Sequence, residues 1–386
     1  MQSNHTKVLF VEDNPIDARM IERSLARSAH TNFELQHVGD LAGALTALRS
    51  GDGYDAVLLD LMLPDSIGGV DTIRAIQEVH HEIPIVVFTG MEDTELALSA
   101  VREGAQDYLV KERCDAETVV RSIRYSIERA RHAIDERELQ EARLQLRTAG
   151  RVQQAKFPSS APNLPGYDIA GLCVPATATG GDYFDYFPIG DRYFGMAIGD
   201  ASGHGLGPAM VMSDVRAILR TLTTVYSDVG EIMRLLNQIA VRDVNVSMFM
   251  TLFLVRLDPE SGSFHYLGAG HSAVVLDAKG EVRNELQPSF PPLNVVADFE
   301  LAAPMTEQLS PGETLLLFTD GITEAHAQSS FTDLFGEARL LDLVRSRYHL
   351  TSDTLTHQIV QVAREFAFPN APVDDMTVVI ATRLPE

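Results

Sequence analysis

Short apolar runs that end on charged or hydroxyl residues set the tightest limit on how the first part of this 386-residue chain can fold. KVLFVED (Lys7 to Asp13) ends in Glu12 and Asp13, and YDAVLLDLMLP (Tyr54 to Pro64) contains a strand ending in Asp60. IPIVVFTG (Ile83 to Gly90) carries Thr89 at its end, DYLVK (Asp107 to Lys111) ends in Lys111, and FELQHV is a further strand candidate. Helical patterns separate them: Ile16, Met20, Ile21 and Leu25, then Leu41 to Arg49. Continuous apolar strands alternating with helices require a parallel, doubly wound α/β sheet covered on both faces. Ligands of such sheets sit outside the carboxyl ends of the strands. Every polar residue just named lies at that end. Polar loops that merely cap strands would not be expected to gather three acids, a hydroxyl and a lysine there.

This segment, residues 1–115, resembles the CheY-like receiver domain of bacterial response regulators, with its flavodoxin-like fold. The resemblance implies that Asp60 accepts a phosphoryl group. It implies that Glu12, Asp13, Asp60 and the main-chain carbonyl of Met62 hold Mg²⁺. Thr89 matches the switch hydroxyl, Lys111 the lysine that contacts the acyl phosphate, and Tyr108 the switch aromatic. A sensor histidine kinase is the implied phosphodonor. The set is chemically coherent, because a carboxylate accepts a phosphoryl group only where cations neutralise the incoming charge.

Residues 116–157 contain no proline. Asp115 to Thr118 offers a helix start. Val120, Ile123, Ile127, Ala130 and Ile134 then form a two-heptad apolar stripe, broken at Arg137 and Glu138 and resumed out of phase at Leu139, Leu144 and Leu146. This spacing predicts a long helical linker. Its stripe fits either packing on its own domain or a parallel coiled coil joining two copies, and the homodimer is the expectation adopted.

The remainder, residues 158–386, reads as α+β. Strand-like runs (GYDIAGLCV, YFGMAIGD, FMTLFLVRLD, SFHYLGAG, AVVLDA, TLLLFTD, MTVVIATR) interleave with helical stretches at Pro208 to Val225, Ser227 to Val241, Glu337 to Ser346 and Thr351 to Phe366. A sheet sandwich with helices outside is the expected architecture. Acids mark its strand edges: Asp182 in GGDYFDY, Asp200 in GDASGHG, Asp320 in LFTDG, and Asp374 with Asp375 before the last strand. Taken singly, each is a polar turn with a solvated aspartate. Together they suit hard divalent cations, which prefer oxygen ligands, in a two-ion site that clamps a phosphate and activates water.

RVQQAKFP, GGDYFDY, GDASGHG, SMFMTLFL, GAGHS, LFTDGITEA, Phe335–Gly336 and DDMT occur in that order. They are similar to the motifs of the SpoIIE/RsbU-type serine phosphatases, members of the metal-dependent PPM superfamily. The resemblance implies an αββα sandwich with two Mn²⁺ or Mg²⁺ ions. It implies that Asp200 bridges them, that the carbonyl of Ala201 and the carboxylates of Asp320, Asp374 and Asp182 are further ligands, and that Asp375 stands behind them. His204 is a turn residue or a proton donor, and His271 is structural. The implied substrate is a phosphorylated STAS-type anti-sigma-factor antagonist. The expectation is therefore a response regulator with a protein phosphoserine/phosphothreonine phosphatase as output. The alternative is a non-catalytic, phosphorylation-dependent adaptor.

A formal net charge of −23 speaks against binding nucleic acid through phosphate neutralisation or docking on an anionic membrane. The two cysteines, Cys114 and Cys173, have neither metal-site spacing nor a glycine-rich anion cradle after them. No apolar run reaches the ~18 residues of a membrane span. A cytoplasmic protein is expected.

Overall fold

The computed structural model describes residues 5–27, 33–66, 69–90, 94–243, 248–296, 303–327, 332–370 and 372–385. The chain divides into two compact units, Met1–Ala142 and Arg143–Glu386.

In the first unit the strands are β1 (Thr6–Val11), β2 (Phe33–Val38), β3 (Ala56–Leu59), β4 (Ile85–Thr89) and β5 (Asp107–Val110). Helices α1 (Pro15–Arg27), α2 (Leu41–Arg49), α3 (Val70–Val79) and α4 (Thr94–Arg102) connect them. All strand pairs are parallel, in the order β2-β1-β3-β4-β5. This is the doubly wound flavodoxin-like order, whose switch point lies between β1 and β3. Strands β3 and β4 are buried along their whole length, which is why they read as unbroken apolar runs.

Helix α5 (Ala116–Gln154) is continuous over 39 residues. Asp115 caps it, its Oδ1 accepting from the Thr118 N–H at 2.9 Å. The apolar stripe divides along its length. Val119, Val120, Ile123 and Ile127 are buried with Val8, Phe10, Leu58, Val86 and Phe88, so the receiver core uses that face. A coiled-coil seam beginning at Val120 is thereby corrected: those side chains already have a partner surface within their own chain. Leu139, Leu144 and Leu146, by contrast, are exposed.

The second unit holds two antiparallel five-stranded sheets. One has the order β13-β10-β9-β8-β7, the other β12-β11-β14-β15-β6. The strands are β6 (Tyr167–Val174), β7 (Tyr183–Ile189), β8 (Tyr193–Ala201), β9 (Met250–Leu257), β10 (Ser263–Ala269), β11 (Ala273–Leu276), β12 (Val282–Leu286), β13 (Met305–Gln308), β14 (Thr314–Phe318) and β15 (Met376–Arg383). Alternation assigns each strand's two faces. Phe184, Ile198 and Phe253 of the first sheet meet Ile169, Leu315 and Val379 of the second between the sheets. Tyr183, Ala197 and Leu252 face outward onto α6 (Leu206–Val225) and α7 (Val229–Asp243). Leu316, Val378 and Ile380 face outward onto α9 (Gly336–Ser346) and α10 (Ser352–Ala367), with the short α8 (Asp320–Thr323) at the sheet's end. The layers run helix, sheet, sheet, helix, as expected.

Strands β12 and β13 lie outside the runs read from the sequence, and β7 departs from that reading. GGDYFDY is mostly strand β7 rather than a turn, and its Asp185 is buried in the apolar layer under α6. Arg220 of α6 compensates it, donating from Nε at 2.8 Å and from Nη2 at 2.5 Å. Tyr183 Oη donates to the same carboxylate at 3.0 Å. This pair fixes α6 across β7, next to both loops that carry Asp182 and Asp200.

The divided stripe gives a test. Ile123→Ala is expected to cost about 2–5 kcal/mol of receiver stability. Leu144→Ala is expected to change stability by less than about 0.5 kcal/mol. Scanning calorimetry of the full chain reads both, and a large loss at Leu144 would mean that a second chain covers it.

Candidate active sites

At the carboxyl ends of the receiver strands, Glu12 and Asp60 are buried and Asp13 is exposed. Ligand oxygens of all three lie within 4.8 Å of one another. Lys111, just past β5, places Nζ 2.7 Å from Asp60 Oδ2 and 2.7 Å from Glu12 Oε2. The contact with Glu12 is an ion pair rather than an aligned hydrogen bond. Asp17 is the fourth acid, 3.4 Å from the same ammonium, and the sequence reading missed it because it lies inside α1 rather than at a strand end. Asp60 Oδ1 accepts from the Met62 N–H at 3.0 Å. Thr89 is fully buried at the end of β4, and Tyr108 on β5 is half-buried.

One ammonium faces these acids, and the energetics follow. Burial pushes the Glu12 carboxyl up to about 7, with the Asp60 charge adding and Lys111 opposing. For Lys111, burial pulls downward, but hydrogen bonding and charge from Asp60 and Glu12 outweigh it and hold the ammonium above its ordinary value. A hard divalent cation fits this donor set: three oxygen ligands that a single lysine leaves undercompensated.

In the sandwich, the acids come together at one end. Asp182 directly precedes β7, and Asp200 is the penultimate residue of β8, where Tyr183 pairs with Gly199. Asp320 begins α8 after β14, and Asp374 and Asp375 precede β15. Asp182 is fully buried at the seam of the two sheets. Its Oδ2 accepts from Thr319 Oγ1 at 2.8 Å and from Thr377 Oγ1 at 2.5 Å, the first just after β14 and the second at the start of β15, adjacent inner strands of the opposite sheet. Asp375 acts on the same loop. Its carboxylate accepts from the N–H groups of Ala176 at 2.8 Å and Gly181 at 2.6 Å. Asp200 is oriented from behind, its N–H donating to Thr251 Oγ1 at 3.1 Å, which in turn lies 3.0 Å from His271 Nδ1. His271 is buried, and burial pushes its imidazole down to about 4, so it stays neutral.

The two glycines before Asp182 serve close approach rather than unusual dihedrals, since neither has positive φ among the described residues. A Cβ on Gly180 would lie 2.3 Å from Asp375 Oδ2, and one on Gly181 would lie 2.6 Å from the Ala201 carbonyl oxygen. The Ala201 N–H also donates to the Gly181 carbonyl at 3.2 Å, so the two acid-bearing loops are tied to each other.

No lysine, arginine or histidine forms an ion pair with Asp182, Asp200, Asp320, Asp374 or Asp375 among the described residues. Burial followed by the Asp200 charge holds the Asp182 carboxyl well above the usual range. Burial and the charges of Asp320, Asp374 and Asp375 push Asp200 up to about 7. Asp374 is raised by burial as well. These oxygens do not cluster as tightly as the receiver set, in which three acids share 4.8 Å. A wider all-oxygen set without a counter-charge fits two hard cations better than one. His204 is exposed on the turn between Gly203 and Gly205. Cys173 is half-buried, and desolvation followed by the Asp182 charge holds its thiol well above its ordinary value, which disfavours the nucleophilic thiolate.

Comparison with known proteins finds a family model for each part of the chain. A response regulator receiver domain model matches residues 8–124. The model for stage II sporulation protein E (SpoIIE) matches residues 190–384, half of the chain. The chain belongs to the SpoIIE family. It joins a receiver domain to a SpoIIE-type phosphatase domain of the PPM class. Phosphoserine phosphatase RsbU of Bacillus subtilis is 26% identical over 195 residues, which cover 50% of this chain and 58% of RsbU. Protein IcfG of Synechocystis is 28% identical over 241 residues, covering 55% of this chain and 37% of IcfG. The matches therefore span less than two thirds of either curated relative. Among solved structures, the SiaA-PP2C domain of Pseudomonas aeruginosa aligns with a TM-score of 0.56 at 22% identity, covering 66% of this chain and 100% of that domain. That likeness concerns the fold. The SpoIIE match begins after Asp182, whose place rests on the geometry above. No helix among the described residues is long and apolar enough to cross a membrane.

The raised carboxyl of Asp200 gives a pH dependence for metal-free protein. Its folded value, about 7, lies above its ordinary value of 3.8, so the folded state keeps the proton longer than the unfolded chain. That contribution is complete below about pH 4 and is lost as pH rises through about 7. In EDTA, the melting temperature of the phosphatase unit should fall across this window, and Asp200→Asn should flatten the slope. Added Mn²⁺ should restore stability at the alkaline end. A melting temperature that climbs through the window would contradict this assignment.

Proposed function

We propose that this chain is a response regulator whose output is a metal-dependent protein phosphoserine/phosphothreonine phosphatase. The observation that carries the reading is the uncompensated set of five carboxylates at one end of an αββα sandwich, in a chain that also holds a receiver with its acids and lysine at the strand ends. Asp182, Asp200, Asp320, Asp374 and the carbonyl of Ala201 would hold two Mn²⁺ or Mg²⁺ ions. When bound, these supply Lewis-acid neutralisation of a phosphate ester and a water of lowered pKa.

The chain's own residues do the positioning. Thr319 and Thr377 aim the Asp182 carboxylate, and Asp375 orders the loop that carries it. Thr251, backed by neutral His271, orients the Asp200 backbone. On this reading water attacks the phosphate ester directly, without a covalent phosphoenzyme.

In the receiver, Glu12, Asp13, Asp60 and the Met62 carbonyl would hold Mg²⁺, and Asp60 would take a phosphoryl group from a sensor histidine kinase. Lys111, already 2.7 Å from Asp60, would neutralise the incoming charge. Thr89 and Tyr108 would report the modified state through the β4 and β5 ends. The substrate class we favour is a phosphorylated STAS-type anti-sigma-factor antagonist, supported by the similarity to RsbU. The receiver border at 115, the linker at 116–157 and a homodimer through the exposed later part of α5 complete the reading. A cytoplasmic setting suits these partners.

The decisive assay is phosphate release from a phosphoserine STAS protein with Mn²⁺, with and without beryllofluoride. Asp200→Ala should lose about 100-fold or more in rate, the scale for removing a main electrostatic group. Asp60→Ala should keep basal turnover and lose the response to beryllofluoride. Wild-type rates from Asp200→Ala would refute the catalytic assignment. Metal-independent binding of the phosphoprotein without turnover would favour the adaptor.

A further inference from the structure

The last turn of α5 touches the phosphatase site. Gln153 is buried there, although Arg151, Val152 and Gln154 beside it are exposed. Its carboxamide makes two hydrogen bonds to one residue of the GGD loop. Nε2 donates to the Gly180 carbonyl at 2.6 Å, and Oε1 accepts from the Gly180 N–H at 3.1 Å. One turn earlier, Gly150 lies against the same loop, where a Cβ would meet the Ala178 carbonyl oxygen at 1.9 Å. Only a glycine lets the helix approach that closely. Gly180 is two residues before Asp182, and its neighbour Gly181 is held by Asp375.

We infer that Gln153 is a positioning residue for the Asp182 loop, and that docking of the α5 end is a condition for metal binding in the sandwich. The inference rests on the phosphatase reading above and adds a control point to it. The chemistry of the contact is specific. Gly180 offers one donor and one acceptor, and a carboxamide answers both, whereas a carboxylate answers only the donor. The loop has room to shift when the contact is lost, because a cavity of about 330 Å³, lined by Gln153, Phe157, Cys173, Gly180, Asp182 and Phe184, lies beside it. The opposite end of the same unbroken helix carries Val119 to Ile127 in the receiver core. A change that displaces or twists α5 would therefore act on Gly180 directly, with no additional element needed to pass it on.

The test uses the full chain with Asp13→Asn in the background, to silence the receiver's own metal site. Mn²⁺ binding to EDTA-stripped protein is measured by calorimetry, and backbone amide exchange is followed over residues 178–183. Gln153→Met keeps the side-chain volume but neither hydrogen bond. Gly150→Ala favours the helix while blocking its seat. Both should weaken Mn²⁺ binding by about tenfold or more and speed loop exchange by about tenfold or more, the scale of two lost hydrogen bonds. Gln154→Met, on the exposed side of the same turn, should change neither.

Wild-type binding and exchange in Gln153→Met would overturn the inference. Should that variant fail to fold, wild-type behaviour of Gly150→Ala would overturn it equally. A parent protein that binds no Mn²⁺ in the sandwich would refute the metal reading instead, while the exchange measurement would still judge the Gln153 contact.

Discussion

Asp182 brings a carboxyl group into the seam between two sheets, where two threonine hydroxyls hydrogen-bond it, the Asp200 charge opposes it, and no lysine, arginine or histidine among the described residues forms an ion pair with it. Burying such a charge is costly unless hydrogen bonds or an ion compensate it. Two threonine hydroxyls from the opposite sheet supply part of the compensation. The rest of that end of the sandwich is arranged around the remainder. Asp375 neutralises no charge, but it accepts three backbone N–H groups and so holds the loop in place. Glycines sit where any side chain would strike a carboxylate or carbonyl. The first sheet, the second sheet and the end of α5 all converge on these eight or so residues, because a charge left short of partners must be surrounded by groups that cannot drift.

The two candidate sites solve the same electrostatic problem differently. In the receiver, Lys111 reaches both Glu12 and Asp60, so the acids stay together even without an ion. Among the described residues the sandwich acids have no such lysine, and the carboxyls of Asp182 and Asp200 shift toward protonation instead. The receiver acids are thus held by charge, whereas the sandwich acids are held by hydroxyls and backbone N–H groups.

Much of this was legible in the sequence, for reasons that differ between the units. Receiver strands are buried on both faces, so apolar runs and the polar residues ending them mark both sheet and site. In the sandwich, motifs pointed to the acid-bearing loops, yet β7 read as a turn because Asp185 interrupts its apolar pattern. Its partner Arg220 lies 35 residues away on α6, beyond the reach of local periodicity. The polar strands β12 and β13 were invisible for a related reason: β12 has one buried position and β13 none, so burial leaves almost no imprint on them. The α5 stripe shows a further limit. Spacing reveals that a helix face is apolar, but not which surface covers it, and its first turns proved to belong to the receiver core. Thr319, Thr377 and Gln153 lay inside quoted motifs, but their roles depend on what folds against them.

The order of the strands has a consequence for how such a protein is made. β15 lies in the middle of its sheet, between β14 and β6. The hydroxyl that Thr377 gives to Asp182 links residues 195 apart in the chain. A growing chain on the ribosome carries Asp182 and Asp200 long before Thr377, Asp374 and Asp375 exist. No product that stops short of Met376 can close the second sheet or assemble the acids. Synthesis itself thus leaves Asp182 and Asp200 without the strand, the hydroxyl and the acids that complete their surroundings until nearly the whole domain has been made.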